Sequence, residues 1–178
     1  MPAAESVMEE IQQPVKFVAV LVATLVPVVL GMVWYSPIAF LKPWLKSVNM
    51  TEEQMKQSSM VKMMIGSVII AFFLSATLAY SGIIVHQLGL MSLFIAKFQA
   101  GDSGAIATYK QLVESLGMAH RSFGHGFFHG AMFGIFGLIP VVTSGAIYEQ
   151  KGFKYVLIVG GYWAISSALM GGIISVWV

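Results

Sequence analysis

The stretch His120–Gly134, HRSFGHGFFHGAMFG, gathers three of the chain's four histidines and four of its eighteen glycines. His125 and His129 are four positions apart, so on a helix their imidazoles stack on one face within reach of a single metal ion. His120 lies about a turn earlier, and His86 closes an earlier apolar run. Neutral imidazoles suit zinc, copper, iron or nickel. Two histidines on one helix face cannot be the opposed axial ligands of one haem, although either could pair with His86. The same residues also fit a structural role, bonding backbone, water or lipid phosphate near the headgroups, and the sequence favours that role. No HExxH arrangement is present, and the apolar run that follows holds no acid before Glu149 at its far end.

Glu149 falls at a membrane edge, where pairing with Lys62, Lys151 or Lys154 is cheap, and reads as a polar edge rather than an intramembrane site. Thr24, Thr77, Thr143, Ser144, Ser166 and Ser167 read as donors between helices. A nucleophile–base–acid set, a phosphate-binding loop and a dinucleotide-binding glycine pattern are all missing from the sequence. The expectation is therefore a protein that is not an enzyme and needs no cofactor, with a transition metal or haem held by histidine, or small-solute transport through the histidine-rich start of the third apolar run, as the alternative.

These residues must be positioned by an unusually apolar chain. It has 178 residues, of which 57% are apolar and only 10% charged. Soluble domains carry roughly 25% charged residues, so an ordinary water-soluble fold is excluded. The net charge of +2 is small and dispersed, which argues against nucleic acid as a partner. Without cysteine, disulfides and thiolate metal sites are impossible.

A membrane-spanning helix needs about 20 mostly apolar residues. Four stretches qualify, at about 15–35, 61–86, 123–147 and 154–177. Their continuous apolarity predicts helices rather than the alternating strands of a barrel. The leader MPAAESVMEEIQQP is acidic, so the first span reads as a retained helix with a kink at Pro27. Trp34, Tyr35 and Trp44, with Lys42 and Lys46, read as an interfacial aromatic belt. Thr51 and Gln54 fit a capping box, from which a helix is expected to run unbroken into span two.

Between spans two and three, Ala105, Ile106, Tyr109, Leu112, Val113 and Leu116 share one helical face. That pattern predicts an amphipathic helix over about 103–117, lying on the membrane or capping the bundle. The short YEQKGFKY makes spans three and four an antiparallel hairpin. Lys and Arg number six on the first and third connections against four on the other side, which favours both termini outside.

Small residues recur every four positions along three spans. The fourth has Gly160, Ala164, Ala168 and Gly172; the third has Gly126, Gly130 and Gly134; the second has Ser67, Ala71, Ser75 and Ala79. Such stripes let membrane helices approach backbone to backbone. The fold class expected is an all-α membrane protein, a four-transmembrane-helix bundle with a short amphipathic extramembrane helix between spans two and three. Its partners are expected to be membrane lipid and a second copy or another membrane protein.

Taken together, GMVWYSPIAFLKPWLK (with Gly31, Trp34, Tyr35, Ser36, Pro37 and Trp44) and the C-terminal hairpin resemble one known family. In the hairpin the matching positions are His129, Gly130, Glu149, Gly161, Tyr162, Met170, Gly171 and Trp177. The family is one of bacterial four-helix membrane proteins, domain of unknown function 1761. Members often carry asparagine near positions where this chain has Gly145 and Val159. The resemblance implies a fold and a place in the bacterial cytoplasmic membrane, and no activity.

Overall fold

The computed structural model describes residues 16–177 apart from 58, 117, 118 and 120, with 82–88 described as helical backbone only. In hydrocarbon no water is available to bond a peptide group, so each apolar run must satisfy its own N–H and C=O groups as a helix. The described elements are all helical. They are α1 (Phe17–Trp34), α2 (Leu41–Val48), α3 (Glu52–Gln57), α4 (Met60–Ser92), α5 (Ile95–Gln99), α6 (Ser103–Leu116), α7 (Phe123–Phe133), a π-helical turn (Gly134–Leu138), α8 (Ile139–Tyr148) and α9 (Phe153–Val176). Four segments are long and apolar enough to cross a membrane: α1, the Met60–Ser81 part of α4, α7 through α8, and α9.

Span four is the hub. Helix α9 packs against α1, α2, α4, α7 and α8. In its most apolar window 61% of residues are buried, against 28%, 22% and 17% in spans one, two and three. On one side of α9, Met170 and Ile174 pack with Val20 and Ala23 of α1 and Leu78 and Ala79 of α4. On its other side lies α7.

Helix α1 runs through Pro27, which removes the N–H that would bond the Ala23 carbonyl. The Pro27 carbonyl in turn accepts the Tyr162 hydroxyl at 2.7 Å. The capping box forms as expected: Thr51 N donates to Gln54 Oε1 at 2.9 Å and Gln54 N to Thr51 Oγ1 at 3.2 Å. The helix it starts nevertheless stops at Gln57 rather than running into span two. Ser59 takes an extended backbone and its hydroxyl accepts from Lys62 N, starting α4 afresh. A serine there competes with helix continuation because its side chain offers the backbone another partner.

Helix α4 continues to Ser92, well past the expected end of span two. At 33 residues it is about 50 Å long, some 20 Å more than the hydrocarbon core. Its projecting end, with α5, receives the amphipathic helix. Asp102 Oδ1 caps α6 by accepting from Ala105 N at 3.1 Å. Ala105 and Tyr109 then bury against Phe98, with Leu90, Met91 and Phe94 around them. The apolar face of α6 thus closes a small core of its own.

Span three is not a uniform helix. At the π turn Ile139 N–H reaches back to the Gly134 carbonyl, five residues away. Pro140 follows, and a proline can neither donate to the carbonyl four residues earlier nor fit its ring beside it. Widening the turn relieves that crowding. Spans three and four then form the expected antiparallel hairpin through a turn in which Gln150 adopts φ +54°.

Candidate functional site

Helix α7 begins where Ser122, in extended backbone, accepts from His125 N at 3.3 Å. Four residues on, His129 stacks one turn above His125. Their ring centroids are 4.5 Å apart and inclined by 51°. His125 is half-buried and His129 exposed. Phe128 meets the His129 ring edge-on at 5.8 Å. His120 and the side chain of His86 lie outside the described residues. Among the described residues no three of His, Cys, Asp and Glu come together as a metal-ligand group. The structure therefore presents His125 and His129 as a pair.

The glycines beside the histidines do different work. A Cβ built on Gly126 would run into the Gly171 backbone and Ser175; one on Gly130 would meet the Ser167 carbonyl; one on Gly134 would meet the Ala164 backbone. From the other side, a Cβ on Gly171 would strike the Gly126 carbonyl. Glycine's second Cα–H occupies that direction, so Cα–H groups face carbonyl oxygens across the seam. The whole stripe of span four faces span three. Gly160 lies against Ile139 and Gly172 against the Phe123 ring, while Ala164 and Ala168 meet Gly134 and Gly130. The stripe of span two is shorter than its sequence spacing suggests: Ala71, Ser75 and Ala79 are buried and Ser67 is exposed.

Most of the hydroxyls expected between helices bond within their own. Thr24, Thr77, Thr143 and Ser167 each donate to the carbonyl four residues earlier, at 2.8 Å. Ser166 is fully buried beside the Tyr162 hydroxyl on its own helix, with no interhelical partner among the described residues. Ser144 is exposed. The interhelical donors are instead Ser75 to the Val20 carbonyl at 2.8 Å, Trp34 Nε1 to Ile158 at 3.1 Å and Tyr162 to Pro27. The Tyr35 ring packs beside them, 5.3 Å from those of both Trp44 and Tyr162. Gly31 makes room here, since an added Cβ would sit 3.3 Å from the Tyr162 hydroxyl. Trp34 and Tyr35 are thus part of a packed contact between α1, α2 and α9.

Arg121 is the contact that sequence reasoning missed. Its Nε donates to Ser175 at 3.2 Å, and one terminal nitrogen donates to Trp177 at 2.9 Å and Ile174 at 3.5 Å. A cation on the last carbonyls of α9 satisfies orphan acceptors and complements the helix dipole. Burial lowers the guanidinium pKa from its ordinary value. The only sequence signal was an Arg just before a helix whose neighbour ends beside it. Glu149 is exposed after the end of α8.

These features define a multi-pass helical membrane protein whose spans pack around the last of them. Residues 18–175 match the family described as protein of unknown function (DUF1761), and the chain belongs to that family. Neither the curated proteins nor the solved structures compared with it include a match. Most of the positions that carry the resemblance are contact positions: Gly31, Trp34, Tyr35, Trp44 and Tyr162 meet at one end, Met170 packs against α1 and α4, and Gly130, Gly171 and Trp177 take part in the span-three seam or its Arg121 clasp.

Proposed function

We propose that the chain is a structural or accessory membrane subunit, working as a homo-oligomer or with another membrane protein in the bacterial cytoplasmic membrane, with both termini outside. The observation that supports this reading is the uneven burial of the spans. Span four is 61% buried, while the other three bury 28% or less of their apolar windows. Their outward faces are long and carry large side chains, among them Val29, Phe73 and Phe136, each more than 60% exposed. Lipid can cover such faces, and so can another helix, because van der Waals packing drives association in either case. The interior side chains serve packing and span-to-span bonding rather than a catalytic arrangement.

Native mass spectrometry from lipid nanodiscs tests the proposal. The expected result is a defined dimer or higher species, or a stoichiometric membrane-protein partner carried through purification. A monomer across all lipid-to-protein ratios, with no partner carried through, would overturn it.

A further inference from the structure

We infer that His125 and His129 form a two-imidazole site for a late first-row divalent ion such as copper, nickel or zinc, a reading that stands whether or not the chain assembles. Three observations carry it. The first is geometry. With metal–nitrogen bonds of about 2.0–2.1 Å, one ion held by two cis imidazoles places their ring centroids roughly 4.5–5.2 Å apart. The observed separation is 4.5 Å, with the rings inclined rather than parallel.

The second is rigidity. The Ser122 cap fixes the start of α7, and the backbone contacts of Gly126 and Gly130 lock the adjacent helix face to α9. His125 and His129 follow about 100° round from those glycines, so the seam holds the pair without enclosing it. Ligands on a helix that cannot roll lose little freedom when an ion binds.

The third is depth. Span three has 26 residues and a rise of about 39 Å, roughly 9 Å more than the hydrocarbon core. Shared between its two ends, that excess puts His125 level with the headgroups and His129 just inside the hydrocarbon edge. An ion can reach the pair from water, and water or a lipid phosphate oxygen can fill the remaining coordination positions. Two imidazole nitrogens favour copper, nickel and zinc over magnesium or calcium, which prefer oxygen.

The test uses tag-free, full-length protein in nanodiscs titrated with Cu²⁺ and, separately, with Zn²⁺ against a chromogenic chelator. One ion per chain is expected. His125→Gln and His129→Gln should each weaken binding at least tenfold, while Mg²⁺ at the same concentration should not compete. Electron paramagnetic resonance of the Cu²⁺ form should show hyperfine coupling to two imidazole nitrogens, falling to one in either variant that retains its size-exclusion profile. Absence of stoichiometric binding, or binding unchanged in the His125→Gln/His129→Gln double variant, would overturn the inference. So would dependence on His86 or His120 alone.

Discussion

The two faces of α9 are packed by different means. Toward α7, the contact is bare backbone: Gly126, Gly130 and Gly134 against Gly171, Ser167 and Ala164, with no room for a single added carbon. Toward α1 and α4, the contact is made by side chains. Met170 and Ile174 fill the space, Tyr162 and Trp34 reach backbone carbonyls across it, and Ser75 ties α4 to the Val20 carbonyl of α1. The first face gains dispersion and weak Cα–H contacts through proximity. The second gains shape filling and a few true hydrogen bonds. A membrane helix that must hold partners on both sides cannot be small all round, or it would pack uniquely with neither.

The contrast predicts a gradient of effects. Gly130→Leu should be the most damaging single change, because the Ser167 backbone it would strike cannot move aside as a flexible side-chain end would. Overpacking costs about 1–3 kcal/mol or more, and combined with Gly134→Leu it should abolish the monodisperse species on native electrophoresis. Unchanged migration would mean that α7 and α9 do not meet at these glycines. Met170→Ala comes next. Met170 is fully buried at the meeting of α1, α4 and α9, and a cavity there should cost about 2–3 kcal/mol in reversible unfolding from mixed micelles. Tyr162→Phe keeps the ring and loses the hydroxyl that bonds Pro27 and lies beside Ser166, so a loss of about 0.6 kcal/mol, at most about 1.7, is expected in the same assay. Gly124→Ala closes the series. Gly124 has open space where a Cβ would go, so stability should stay within about 0.5 kcal/mol of the parent. A loss as large as that of Gly130→Ala would mean that glycine matters here for something other than contact.

Much of this architecture could be read from the chain because membrane physics leaves few choices. Apolar run length set the spans, and the four-residue spacing of glycine and alanine located both sides of the seam. The Thr51–Gln54 box and the apolar face from Ala105 to Val113 were equally readable, since each is a local pattern. What escaped depended on competition or distance. Thr24, Thr77, Thr143 and Ser167 found the nearer carbonyl on their own helix, as hydroxyls do when the i−4 acceptor is close. Ser59 interrupted a helix that its neighbours alone would have continued. The π turn before Pro140 reflects one proline's local demand within a span whose hydropathy is unbroken. Arg121 bonds residues 53–56 positions away, which no spacing rule encodes. Among the candidate ligands, the His125–His129 pairing followed from helix periodicity, whereas any third ligand would have to come from another element.

Helix α9 thus buries most of its surface inside the chain, while the other three spans turn most of theirs outward. Because the chain has no cysteine, single cysteines can test it cleanly. Cysteine placed at Val29, Phe73 or Phe136, each more than 60% exposed, or at Ala168, only 2% exposed, should be oxidised in intact membranes and resolved on non-reducing gels. Cross-linked species are expected at one or more of the three outward positions and none at Ala168. Cross-linking at Ala168, or none at any outward position, would contradict it.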